Sequence, residues 1–421
     1  MPDAGPAQAR RADIFRCARE PEGWFLRHIL MTNTQPQPQG TNQPGDQTAQ
    51  FETAAALQSP SHLIASIPGA LGYFPNEAVI LVSLYARPGE PGALDVGAYL
   101  DADLGSTTSI QRALQRVSAS NHVTTFAVIV TRVPHSDMVA AAAAGLHQAA
   151  DEFGELVEAC WIVSEIADGT HYQLVFGPDA EIFDSWGWDA GYHCGTVASV
   201  AASAAMRPLI THGVLPELHR DDAFRHFDPV SDADVAMSEA IAPEAYRKGA
   251  ELLELTQSAP WLALPQMKAA CNVFLAAPNV KLIDSEGSLI LDDVFASAAD
   301  VELVAAMLTR NMLRDCLIEH ALDHPGAASA VLVSVARNFS GRIRANALCL
   351  WAMVAVSQQL HGWASVALMC ADDEVPAHSL AGLLANVLGV GQADALIELS
   401  RRGCRDTWRE VERRAAAQAD G

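Results

Sequence analysis

The stretch "SIPGALGYFPNEAVILVSLYARPGE", Ser66 to Glu90, runs a turn rich in Gly and Pro into a nearly unbroken apolar segment. Such a turn has two physical uses: it can bare backbone N–H groups to an anion, or it can end one element and open the next. The P-loop and the dinucleotide fingerprint both need their glycine turn to feed a helix N-terminus. Here Pro75 leads instead into the β-branched run Ala78 to Ala86, and no GxGxxG or GK[ST] occurs anywhere. The steric use predicts a helix begun near Ser61, ended at Gly72 and blocked by Pro75, with Tyr73 and Phe74 folded onto a buried strand. Gly69 and Gly72 remain candidate ligand-binding positions under the other use.

Working outward, Leu94 to Leu100 alternates and reads as the partner strand, with "RPGEPG" as the turn between. Ile110, Leu114 and Val117 recur at helical spacing, which predicts a helix over Ser109 to Ser118. "TTFAVIVTRV" from Thr124 is a further buried strand, and Ser136 caps a long Ala-rich helix. "CWIVSEI" and "HYQLVFG" flank Ala167 to Thr170, a hairpin sequence. The pattern predicts a mixed-sheet α/β domain over 60–178, an irregular excursion over 179–235, and an all-α, repeat-like domain over 236–415. Within the last, Ala347 to Val356 and Trp363 to Ala371 read as a helix pair turned at His361 and Gly362. Ala364, Leu368, Ala371 and Pro376 follow tetratricopeptide spacing.

Composition bounds function. Fifty acidic against 27 basic side chains give a formal net charge of −23, which repels a phosphate backbone and an anionic lipid surface. Bulk charge thus speaks against nucleic acid and membrane as partners, and no apolar stretch reaches the roughly 18 residues of a membrane span. The eight cysteines are scattered without CxxC, mostly inside apolar patterns, which points to a reducing cytoplasm. Residues 1–55 read as a disordered leader. Its first 30 residues carry five arginines and four acids, unlike the remainder, and translation is expected to start at Met31.

Three segments resemble a known family. "HLIASIPGALGYFPNEAVILVSLY" (62–85) resembles the opening signature of an actinobacterial domain of unknown function. "MLRDCLIEHAL" (312–322) and "RANALCLWAMVAV…LHGWASVALMCADDEVPAHSLAGLLANVL" (344–388) are similar to its closing helices. The resemblance spans roughly 60 to 400 and implies no activity. Relatives often carry a Cys-rich patch before the domain junction, where this chain has only "YHCGT" with Cys194, so no metal is expected from it.

The remaining chemistry concentrates in "FDSWGWDAGYHCGT". Asp189, His193 and Cys194 are the candidate catalytic groups, and Trp186 and Trp188 candidate ligand contacts, because loops carry sites more often than core elements do. His212, His219 and His226 could face the same cleft. Cys316, His320 and His324 share a helical face at i, i+4, i+8, yet the outer two stand about 12 Å apart and cannot share an ion. GxSxG and HExxH are absent. No catalytic constellation stands out, and no cofactor is expected. The sequence therefore reads as a cytoplasmic binding or regulatory module whose partner is a protein or small molecule. The rival is an enzyme acting on a small anionic or nucleotide-like ligand between the domains.

Overall fold

The computed structural model of the chain describes residues 59–86, 94–118, 122–153, 157–178, 190–230, 232–283, 291–389 and 391–419. The leader, the "RPGEPG" turn, Trp186, Trp188 and Asp189 lie outside the described residues.

Helix α1 (Pro60–Leu71) is bounded by local chemistry. Ser59 accepts a hydrogen bond from the His62 N–H, and Pro60 fills the first turn, where a missing N–H costs nothing. Gly72 ends the helix at φ +83°, donating its N–H to the Pro68 carbonyl at 2.9 Å. Tyr73 is buried against the core, and its backbone bridges Glu217.

A sheet follows, made of β1 (Ala78–Ala86), β2 (Leu94–Asp103), β3 (Thr124–Val130), β4 (Val157–Val163), β5 (His171–Phe176) and β6 (Cys194–Thr196). It has the order β2-β1-β3-β4-β5-β6, with β3 and β4 parallel and the other neighbours antiparallel. Helices α2 (Thr107–Ser118) and α3 (Asp137–Phe153) cover one face, where Val79, Leu81, Ala127 and Ile129 meet Leu114 and Leu146. Ile80, Val82, Val128 and Trp161 point the opposite way, into the helical layer. Burial on both faces explains why β1 and β3 read as continuous apolar runs instead of alternating. The β4–β5 turn places Gly169 at φ +78°. The sheet continues beyond it: β6 lies inside the stretch expected to be irregular, and three residues are too few to carry a period.

The helical layer comprises α4 (Met206–Thr211), α5 (Arg220–Arg225), α6 (Asp232–Ser258), α7 (Pro260–Ala276), α8 (Leu291–Val294), α9 (Ala298–Leu308), α10 (Asn311–Asp315), α11 (Ile318–Asp323), α12 (Pro325–Asn338), α13 (Gly341–Ser357), α14 (His361–Glu374), α15 (Ser379–Gly389) and α16 (Ala393–Ala419). Helix α13 is buried from Ile343 through Val356, so it is a central helix with no solvent stripe. Helices α13 and α14 form a hairpin through Gln358, Gln359 and Leu360. The expected turn at His361 and Gly362 is corrected: both residues open α14, and Gln359 takes the left-handed conformation at φ +61°. One hydrophobic cluster runs from the second sheet face through α1 into α13 and α14. The architecture is α+β, a six-stranded mixed sheet in a mostly helical protein.

At the start of α15, the His378 Nδ1 accepts the Ala381 N–H at 3.3 Å, and burial with nearby Arg314 pushes the imidazole down to about 4. A base with a depressed folded pKa binds its proton more readily when unfolded, so stability is present above pH 6.5 and is lost as pH falls towards 4. Between pH 6.5 and 5 the loss is about 2 kcal/mol, at 1.36 kcal/mol per unit. Urea titrations across that interval should show a steeper fall for the native protein than for His378→Asn, which keeps a cap acceptor and cannot titrate. Equal slopes would refute it.

Candidate functional site

A cleft of about 1720 Å³ lies between β2 and helices α14, α15 and α16, with α1 and α2 contributing to its walls. Every residue from Asp95 to Asp101 lines it, along with Gly69 and Tyr73 from the end of α1. The opening turn thus does reach a cavity, though through its packing. A Cβ on Gly69 would stand 2.6 Å from the Ala205 carbonyl carbon, and one on Gly72 would stand 3.3 Å from the Trp363 ring. These glycines let α1 approach its neighbours.

The polar centre of the cleft is built by three elements. Arg220, at the first turn of α5, directs its Nε to Asp101 Oδ2 at 3.1 Å and stacks its guanidinium over the Phe224 ring. Asp101, near the end of β2, is 10% exposed in its side chain. Tyr73 is 1% exposed and its hydroxyl feels both charges, yet it makes no hydrogen bond of good geometry. Burial first, and the Asp101 carboxylate second, push this phenol well above its ordinary pKa, so it is a neutral donor. Beside it, Ser66 Oγ and Tyr99 Oη share a 2.7 Å hydrogen bond, and burial holds the Tyr99 phenol at about 12. The arrangement offers fixed donors and acceptors.

The residues singled out in the sequence lie apart from this centre. His193 is exposed, its ring tilted against Tyr192 at 4.0 Å, while its carbonyl accepts the Leu174 N–H. Cys194 is an exposed free thiol on β6. The strand order puts β6 on the edge opposite β2, five strand spacings or about 24 Å away. The three downstream histidines also diverge. His212 lines the cleft with Nε2 3.2 Å from the Gln358 carbonyl oxygen, His219 precedes α5, and His226 packs among Phe227, Trp351 and Trp363. The single helical face expected for Cys316, His320 and His324 is interrupted, since α10 ends at Asp315, α11 begins at Ile318, and Cys316 is buried. Among the described residues, no three His, Cys, Asp or Glu side chains are placed to hold a metal ion. Burial pushes the thiols of Cys271, Cys349, Cys370 and Cys404 up to about 12, which makes them poor nucleophiles.

Sequence reasoning missed Tyr73, Asp101 and Arg220 as a group. Tyr73 carried an apolar signal only, and Arg220 sat in "ELHRDDAFRHF", which reads as solvated charge. Nothing local pairs them.

Fold and site together define an α+β protein with a wide cleft between a sheet edge and a helical layer. The chain belongs to the family described as Domain of unknown function (DUF4192), which it matches over residues 60–394. No curated protein and no solved structure matches it. No helix among the described residues is long and apolar enough to cross a membrane.

Proposed function

We propose that the protein is a binding module that takes its ligand in the cleft along β2. One observation carries this reading: the Tyr73 hydroxyl is buried close to both Arg220 and Asp101, yet neither meets it in good hydrogen-bond geometry. An unmade hydrogen bond at a buried group costs about 1–3 kcal/mol. The hydroxyl is itself closed to solvent, so in this reading an acceptor that enters the cleft reaches it by displacing the half-exposed Arg220 side chain. The α13–α14 hairpin, with Ala364 and Ala371 buried at its contact, serves in this reading as a tetratricopeptide-like support for the opposite wall. The free thiols support a cytoplasmic setting. The preference for Arg over Lys and the wealth of Ala support a high-GC source such as an actinobacterium.

Tyr73→Phe tests the proposal. The ligand-free variant should be as stable as the native protein or gain about 1 kcal/mol, because the substitution removes an unsatisfied hydroxyl and keeps the ring. Compounds that raise the native melting temperature, drawn from nucleotides, amino acids and short peptides, should raise that of the variant less. A variant that loses stability without ligand would mean that the hydroxyl already has a partner, and the proposal would fall.

A further inference from the structure

The cleft is unusual in what forms its floor. β2 is an edge strand, and edge strands present a row of unpaired N–H and C=O groups that invite another strand. Here that row opens into the cleft. The Ala98 N–H donates to Ser83 Oγ on β1 at 3.1 Å, so the backbone of Ala98 faces inward. In an antiparallel strand, successive residues turn their backbone groups to opposite sides; beyond the bulge that sets Gly97 and Ala98 opposite Ser83 the register is regular, so Tyr99 and Asp101 turn theirs away from β1. Among the described residues, nothing pairs with the outward backbone groups of these two. Their spacing of about 6.8 Å per pair of residues is the repeat of an extended polypeptide. A nucleotide or a sugar does not reproduce it.

The facing wall adds a charge preference. Of the five arginines lining the cleft, Arg116, Arg220 and Arg401 are each tied to a carboxylate, on Asp372, Asp101 and Asp323, Arg207 is engaged as well, and Arg112 makes no ion pair among the described residues. Asp373, Asp394 and Glu398, from α14 and α16, line the cleft as exposed carboxylates, and none of them makes an ion pair among the described residues. These three carboxylates outnumber the one untied arginine and, on a chain of net charge −23, suit a cationic occupant.

Resting on the proposed binding role of the cleft, we infer that its ligand is an extended segment of a basic partner polypeptide, which adds as a further strand to β2. Main-chain hydrogen bonds to Tyr99 and Asp101 supply the register. Lysine or arginine side chains reach Asp373, Asp394 and Glu398 on the opposite wall.

The test is fluorescence anisotropy with the full chain and three labelled decapeptides: alternating lysine and valine, the same peptide N-methylated at every second residue, and alternating glutamate and valine. The lysine peptide should bind. N-methylation on the pairing edge should weaken it about tenfold or more, because each blocked N–H removes a hydrogen bond. The glutamate peptide should not bind. Asp373→Asn combined with Glu398→Gln should weaken the lysine peptide and leave the N-methylation ratio unchanged.

Equal affinity of the methylated and unmethylated peptides would reduce the interaction to adsorption of cations on an acidic surface and overturn the inference. Absence of binding by all three peptides would also overturn it. If a small compound then stabilises the native protein but not Tyr73→Phe, the cleft remains a binding site and only strand addition is lost. If no ligand distinguishes Tyr73→Phe from native, both readings fail.

Discussion

Arg314→Met should cost the fold about 3–5 kcal/mol, the range for removing one partner of a buried ion pair. Arg314 and Asp315 are 1% and 3% exposed at the heart of the helical layer. The guanidinium donates from Nε and Nη2 to Asp315 Oδ1, at 2.9 and 2.6 Å, and from Nη1 to Asn346 Oδ1 at 2.8 Å. Asn346 passes the chain on, donating its Nδ2 to the Leu308 carbonyl at 2.7 Å. Burial already pushes the Asp315 carboxyl above its ordinary range, with Arg314 opposing that shift. Without the guanidinium, Asp315 must either stay charged in apolar surroundings or take up a proton, and both are costly. Arg314→Met combined with Asp315→Leu should therefore cost less than the single change, since no charge is stranded. Urea unfolding of the two variants decides the matter, and a double variant weaker than the single one would show that the pair itself stabilises the core.

The second large effect is expected at the junction of α1 with α14. A Cβ on Gly362 would lie 2.4 Å from the Ala70 carbonyl oxygen, 2.7 Å from the Leu71 carbonyl carbon and 2.8 Å from the Gly72 nitrogen. All three are backbone atoms, so no rotamer relieves the contact and a helix must move. Gly362→Ala should destabilise by about 3 kcal/mol, the upper part of the overpacking range. It should also weaken any ligand of the cleft, because the displaced backbone leads directly into Tyr73. Gly382→Ala is the matched control. It sits exposed in α15 with open space around it, and should stabilise by about 0.5–1 kcal/mol through helix propensity. Thermal unfolding of the two alanine variants should therefore shift in opposite directions, and a loss at Gly382 as large as at Gly362 would remove the steric account.

Much of the sheet was legible because its residues carry their own instructions. β1 spans Ala78 to Ala86 as its apolar run predicts, and Gly72 stops α1 where a left-handed residue was required. The long Ala-rich helix begins after Ser136, whose Oγ accepts the Val139 N–H at 3.3 Å. β6 escaped because it is three residues long and is held through Gln173 and Tyr172 of its neighbour, a tertiary cause with no local trace. The interruption between α10 and α11 escaped for a similar reason: the spacing of Cys316, His320 and His324 describes a helical face whether or not the helix persists. The cleft was the least legible feature. Its polar centre joins the end of α1, the end of β2 and the start of α5, and only the completed sheet brings them together. Attention to "FDSWGWDAGYHCGT" followed residue chemistry, whereas the residues lining the cleft are mostly ordinary strand and helix residues whose significance is positional.

The hydrophobic cluster that runs from Ile80, Val82, Val128 and Trp161 into α13 and α14 bears on folding. A gene fragment encoding only the sheet would expose that apolar face to water, and one encoding only the helices would expose its complement. The sheet and its helices therefore depend on each other to keep this face from water.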